Sequence, residues 1–355
     1  MKAWLLKKVY DLRAGVQPLE LADVEKPFPS KAEILIKVSC CGVCHTELDE
    51  IEGRTPPQVY PVIPGHQVVG TVEKTGTEAV RFRQGDRVGA AWIFSACGVC
   101  NYCRAGLENL CAQFRGTGRD ANGGYAEYMT ISEKFAYRIP DAFKDTEAAP
   151  LLCAGAIGYR SLRLTELKDG QTLGLTGFGA SGHLVLMMAR HLFPQSKIIV
   201  FARSKQEQSF ALSLRASWAG DISDTPPFPA RAIIDTTPAW NTVVQSLLWL
   251  EPGGRLVINA IRKESKDQSA LLNLNYTDHL WMEKEVKSVA NITTRDVEEF
   301  LALAAAVPIL PEVEIYSFSN ANRALLDMKL KPSRGAKVLE LSPADRADLR
   351  RADAQ

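Results

Sequence analysis

Leu173-Gly174-Leu175-Thr176-Gly177-Phe178-Gly179-Ala180-Ser181-Gly182-His183-Leu184 reads as an apolar strand, a glycine turn and the start of an apolar helix. Gly177, Gly179 and Gly182 fall in the pattern G-x-G-x-x-G. In that context the first glycine makes the tight turn, the second lets the backbone approach a pyrophosphate, and the third lets helix and strand pack closely. The backbone N–H groups of Ala180 and Ser181, at the start of the helix, then face the phosphate. Outside this context the pattern is weak; between a strand and a helix it predicts a dinucleotide site.

The surrounding sequence repeats the same alternation. The predicted helix runs from Ser181 to Leu192. A strand at Ile198–Phe201 precedes a helix around Gln206–Leu214, and AIID at 232–235 precedes a helix near Asn241–Leu250. The strand-like RLVINAI (255–261) follows the turn Pro252-Gly253-Gly254. Alternating strands and helices imply a parallel sheet covered on both faces. At the end of the second strand, Ala202-Arg203-Ser204-Lys205 contains no acid to bind a ribose 2′-OH, which is normally found about 20 residues beyond the glycines. Two cations and a hydroxyl suit a 2′-phosphate instead, so Arg203, Ser204 and Lys205 favour NADP(H) over NAD(H).

Upstream of Pro150 the texture differs. Ile34–Val38, Val68–Val72 and Arg87–Ala91 are short strands separated by turn material such as Thr55-Pro56-Pro57 and Asn122-Gly123-Gly124. They predict a compact, barrel-like β domain. After about Lys287, helices at Arg295–Ala306 and Ala321–Met328 and a strand at 336–341 (AKVLEL) close the chain, followed by a polar tail at 343–355. The expected division is 1–153 with 287–342, and 154–286.

Composition narrows the function. The chain has 355 residues, 46% of them hydrophobic, with 42 Lys plus Arg against 41 Asp plus Glu. At the usual domain size of about 150 residues this means two domains. A net charge of +1 argues against a nucleic-acid partner. The longest apolar run, Leu301 to Leu310, is interrupted by Pro308 and falls short of the roughly 18 residues of a spanning helix. The N-terminus lacks a signal-peptide pattern. Eight cysteines in a chain that reads as cytoplasmic point to metal rather than disulfides.

Cys97, Cys100, Cys103 and Cys111 are spaced C-x2-C-x2-C-x7-C. Four thiolates close the tetrahedral shell of Zn²⁺ and leave no open position, as in structural sites. Iron–sulfur clusters also use four cysteines, but a tight loop with Gly98 and Gly106 at its turns suits zinc better. Cys44 (CGVCHTEL), His66 (IPGHQVVG) and Cys153 (PLLCAGAIGYRSL) form a second candidate set. Two cysteines and one histidine leave the fourth zinc position open for chemistry. Spacing alone does not join these three, since a single Cys or His is ordinarily a buried structural residue.

Together the motifs resemble the zinc-containing medium-chain alcohol dehydrogenase family, from CGVCHTEL through GDRVGAAW, the four-cysteine loop, NGGYAEY, PLLCAGAIGYRSL and TGFGASGHL to RGAKVLEL. The resemblance implies an α/β protein: a GroES-like β catalytic domain plus a Rossmann, doubly wound parallel-sheet cofactor domain. It implies catalytic zinc at Cys44, His66 and Cys153, structural zinc at the four-cysteine loop, and two zinc ions per chain. It gives Glu47 the role of steadying the ligand histidine, and Thr46 that of binding the substrate oxygen. Trp92 becomes a pocket residue suited to small primary alcohols, and His45 a neighbour of the pyrophosphate. The implied partners are small alcohols or aldehydes, and the implied assembly is a homodimer or homotetramer.

Two departures stand out: Gln67 replaces the family's glutamate after the ligand histidine, and Asp49 holds the place of the proton-relay histidine. Cys40 and Cys41 are left as free core thiols. The competing readings are an NADPH-dependent reductase of activated double bonds or quinones, and a non-enzymatic zinc-thiolate protein that senses redox state or binds a partner.

Overall fold

The computed structural model describes residues 1–13, 15–307, 309–331, 335–342 and 345. Apart from Asp345, the expected polar tail lies outside them. The chain forms two units. One comprises Met1–Cys153, Thr293–Ala306 and the chain from Leu310 onward; the other comprises Ala154–Ile292 with Val307–Ile309. The boundary expected at 287 therefore moves to 293. The reason is a short strand, Glu285–Ser288, that pairs in parallel with Leu250–Ile258. All four of its residues are exposed. An edge strand of sequence EVKS carries no alternation of apolar and polar residues by which to be recognised.

The first unit is built on Glu33–Val43, whose Ile34, Ile36 and Val38 are fully buried. This strand pairs antiparallel with Val68–Thr75, Tyr128–Ser132 and Ala336–Glu340. Arg87–Ala90 and Ala136–Arg138 extend the sheet on one side and Val313–Ser317 on the other. β-Branched residues suit this doubly covered position. Late chain segments thus return to complete an early sheet, and Trp4 Nε1 donates to Phe318 O at 2.9 Å across the same unit.

The second unit contains six parallel strands: Leu173–Thr176, Ile198–Phe201, Trp218–Gly220, Ala230–Asp235, Leu250–Ile258 and Glu285–Ser288. Counted in chain order, they lie third, second, first, fourth, fifth, sixth. This is the doubly wound dinucleotide order, with its switch point between the first and fourth strands. The helices fall within two residues of expectation, at Ala180–Leu192, Lys205–Ser213 and Trp240–Leu248. In the first unit the closing helices are Thr294–Ala306 and Ala321–Leu330. No helix among the described residues is long and apolar enough to cross a membrane.

Ile36 sits opposite both Val72 and Met129, so its side chain is enclosed by sheet on both sides. Ile36→Ala is expected to destabilise the first unit by about 2–5 kcal/mol, read from denaturant unfolding curves.

Candidate active site

Cys44 directly follows the strand Glu33–Val43 and caps the helix His45–Ile51. Its backbone is extended (φ −139°), and its Sγ accepts from Thr46 N at 3.3 Å. Glu47 completes the capping box: its Oε2 accepts from Cys44 N at 2.8 Å. Its other oxygen, Oε1, lies 2.6 Å from His66 Nδ1. Both Glu47 and His66 are almost fully buried. With Nδ1–H donated to Glu47, the free lone pair of His66 is on Nε2, which lies 3.3 Å from Cys153 Sγ.

Cys153 reaches this point through a π-helical turn, Leu151–Gly155, that follows the helix Asp145–Pro150. Pro150 has no N–H to donate, so the α-helical ladder is already broken where the wider turn begins. Leu151 and Leu152 are fully buried, while Cys153 stays half-exposed. The ligand atoms of Cys44, His66 and Cys153 all lie within 4.8 Å of one another. The structure thus brings together three residues that spacing alone could not connect.

The electrostatics fit a cation at this point. The Cys153 sulfur facing it, together with burial, raises the Cys44 pKa well above its ordinary value. A cation between the two sulfurs would offset that penalty on Cys44. Burial works against a charge on His66, but the Glu47 carboxylate and the Cys44 sulfur outweigh it and raise the pKa of the ring. A field that favours a proton on the ring also favours a metal cation at Nε2.

The remaining predicted residues divide. Thr46 is half-buried, with Oγ1 3.3 Å from Cys44 Sγ, and His45 is exposed on the same turn. Asp49 is buried, and its carboxylate is held by Arg54 Nε at 2.5 Å. Gln67 lies over Gly42, where an added Cβ would stand 2.7 Å from its side chain. The Trp92 ring packs against Phe114 at 5.2 Å between centroids and under the Arg119 guanidinium at 4.9 Å. Sequence reading missed Glu50, which is 1% exposed, with Oε1 lacking a hydrogen-bond partner. Burial and then the nearby Glu47 charge push its pKa well above the usual carboxylate range. Its place one helical turn after Glu47 was the available signal.

In the four-cysteine loop, Cys97, Cys100, Cys103 and Cys111 have Sγ atoms within 4.8 Å of one another. Backbone N–H groups point at sulfur throughout: Cys100 to Cys97 at 3.4 Å, Cys103 to Cys100 at 3.5 Å, and Gln113 to Cys111 at 3.3 Å. Gly98, at φ +76°, supplies the left-handed turn that the loop needs. The N–H groups of Val99 and Cys100 lower the Cys97 pKa to about 6, while burial pushes Cys103 up to about 12. A ring of four sulfurs cradled by N–H donors fits a closed metal shell. Cys40 and Cys41 are buried and free.

In the second unit Gly177 has φ +80°, and a Cβ at Gly182 would stand 2.6 Å from Gly177 O. At Gly179 nothing lies within 4 Å, leaving its backbone open to a phosphate. Arg203 is exposed. Ser204 caps the helix Lys205–Ser213 through Glu207 N (3.1 Å), and Lys205 Nζ donates to Gln208 Oε1 at 3.0 Å.

Residues 30–141 match the alcohol dehydrogenase GroES-like domain model. The chain is 42% identical over 344 residues to "Probable alcohol dehydrogenase AdhA" of Mycobacterium tuberculosis, covering 96% of this chain and 97% of that one. It is 31% identical over 335 residues to an alcohol dehydrogenase of Geobacillus stearothermophilus, covering 91% and 96%. The chain belongs to the zinc-containing medium-chain alcohol dehydrogenase family. The solved structure of a cinnamyl alcohol dehydrogenase of Sorghum bicolor superposes with a TM-score of 0.81 at 25% identity, covering 96% of this chain and 97% of that one. The protein is a zinc-dependent alcohol dehydrogenase that uses a nicotinamide cofactor; the reductase and non-enzymatic readings are not favoured.

Within this dehydrogenase, the Glu47 carboxylate is what holds His66 Nδ1. Glu47→Ala is expected to weaken zinc retention at the Cys44 site by about 10–100-fold. Timed release to a chromophoric chelator, compared with wild type, measures it.

Proposed function

We propose that this dehydrogenase interconverts a small alcohol, primary alcohols favoured, and its carbonyl product, with NADP(H) preferred over NAD(H). The observation that carries this reading is the Cys44–His66–Cys153 cluster, whose histidine is oriented by Glu47. Such a ligand set leaves one coordination position for substrate. When bound, zinc supplies Lewis acidity toward an alcohol or carbonyl oxygen, and the nicotinamide ring gives or takes the hydride.

The chain's own residues do the rest. Glu47 fixes the ring of His66 so that Nε2 is the ligand atom. Thr46 Oγ1 stands at the first turn of its helix beside Cys44, where it accepts the hydroxyl proton of the alcohol. The hold of Arg54 on Asp49 favours exposed His45, next to Thr46, as the onward proton acceptor. Trp92, with its ring backed by Phe114 and Arg119, is the proposed wall that limits substrate size.

On the cofactor side, exposed Arg203 supports the NADP(H) preference, since Glu207 is folded back into the Ser204 cap and offers no carboxylate to a ribose. Lys205 and Ser204 contribute charge and helix-start donors at the same corner. The second zinc belongs to the four-cysteine loop. The free edge of Glu285–Ser288, with half-exposed Trp281, Met282 and Val286 around it, supports association of copies into a dimer or tetramer. The absence of disulfides among eight cysteines supports a reducing, cytoplasmic setting.

Cys44→Ser is expected to abolish turnover in stopped-flow and steady-state assays while cofactor binding persists. Activity that survives both this change and chelation would overturn the zinc chemistry. Arg203→Ala is expected to raise the KM for NADPH roughly 10–100-fold, the equivalent of one charge-assisted hydrogen bond of about 1.5–3 kcal/mol. The KM for NADH should stay within about twofold in the same assays. A clear wild-type preference for NADH in kcat/KM would reverse the cofactor assignment.

A further inference from the structure

Asp235 ends the fourth strand of the parallel sheet and is fully buried. Thr176 Oγ1, at the end of the first strand, donates to its Oδ1 at 2.5 Å. Thr237 reaches the same oxygen through its N–H (3.2 Å) and its hydroxyl (2.9 Å). The other oxygen, Oδ2, is paired with Lys263, whose side chain is only 8% exposed. Lys263 Nζ also donates to Thr237 O at 2.8 Å and Ala239 O at 3.0 Å. An ammonium has three N–H donors, and all three are used here.

The pair spans two crossovers. Lys263 follows the fifth strand, Leu250–Ile258, while Thr237 and Ala239 lie in the loop after the fourth. Asn259 N to Asp235 O (2.8 Å) and Glu264 N to Pro238 O (2.8 Å) stitch the same two loops together. The fourth-strand loop also touches the glycine turn: a Cβ on Gly177 would meet Thr236 Oγ1 at 2.6 Å and Thr237 Cγ2 at 3.0 Å. At the same end of the sheet, Asn259 is buried and its Nδ2 has no hydrogen-bond partner.

Doubly wound sheets are built from two mononucleotide-binding halves and bind ligand beyond the carboxyl ends of the strands. The glycine turn and Arg203 follow the first and second strands, so they serve the adenosine half. The loops fastened by Lys263 follow the fourth and fifth strands and face the other half. We infer that Lys263 and Asp235 are positioning residues for the nicotinamide half of the dinucleotide. Their ion pair holds the 236–239 and 259–264 loops in a single arrangement, with the Asn259 amide as an unspent donor for the carboxamide. The inference rests on the dinucleotide reading of the glycine loop. A buried lysine spent wholly on one carboxylate and two carbonyls makes no ligand contact itself; it sets where the loops stand.

The test separates the two halves of the cofactor. Asp235→Asn/Lys263→Met removes both charges while leaving an acceptor for Thr176 and Thr237. Lys263→Arg keeps the charge balance but replaces one small donor by a planar fork that does not fit three convergent acceptors. Dissociation constants for NADPH and for adenosine 2′,5′-bisphosphate are measured by calorimetry on the zinc-loaded protein, with thermal unfolding as the folding control. The expected result is NADPH binding about tenfold weaker in the double variant, with the bisphosphate constant unchanged within about twofold. If the double variant does not fold, Lys263→Arg carries the same comparison and the same expected split. Unchanged NADPH affinity in a folded variant, or an equal loss for both ligands, overturns the inference. A wild type that binds neither NADPH nor NADH sinks the dinucleotide reading, and this inference with it.

Discussion

One carboxylate ties the metal cluster to the fold. Glu47 is fully buried, and each of its oxygens has its own N–H donor: Cys44 N at one and His66 Nδ1 at the other. The first bond starts a helix, and by starting it there aims the Cys44 sulfur. The second selects the tautomer that leaves His66 Nε2 to a metal. A buried carboxylate without such donors would carry a large desolvation cost. Here the donors that satisfy it are the backbone and side chain of two ligand residues, so helix initiation, ligand orientation and charge compensation are one arrangement.

Glu50 shows what that arrangement excludes. It lies one turn along from Glu47, equally buried, with an oxygen that meets no donor. A buried carboxylate without donors is disfavoured in its ionised form. Glu47 has two donors and the candidate metal cluster beside it. Glu50 is pushed toward its neutral form by burial and by Glu47 itself. Both N–H donors, Cys44 N and His66 Nδ1, go to the residue that bonds the histidine.

What could be read from sequence follows how local each feature is. The glycine turn and the four-cysteine loop each occupy a few consecutive residues, so their spacing already carries the geometry. The parallel sheet showed in the alternation of apolar strands and helices because its strands are buried on both faces. Cys44, His66 and Cys153 come from a strand end, a loop and a π-helical turn, and only the family resemblance joined them in advance. The π turn gave no signal beyond Pro150. The polar edge strand at 285–288 lacks the pattern by which strands are read, so the sequence places the boundary at 287 and the contacts of the fold place it at 293. Asp49 stands at the relay position through the family resemblance alone, and its pairing with Arg54, five residues on, carries no motif by which to be read. Lys263 and Asp235 stand 28 residues apart, and nothing local marks either as half of a pair.

The near-zero net charge of the chain conceals two opposite uses of lysine and arginine in the cofactor unit. Arg203 stands exposed at the end of the second strand, where on the proposed NADP(H) reading a cation serves the 2′-phosphate. Lys263, on the other side of the switch point, is buried and neutralised by Asp235. On the inference above, the nicotinamide half lies toward these loops, and since the oxidised ring carries positive charge an unpaired ammonium there would weaken binding of the oxidised cofactor. Pairing that lysine keeps its three hydrogen bonds and removes its field. On the proposed reading, one half of the dinucleotide is held by charge and the other by loop position, and the sheet's change of direction separates the two.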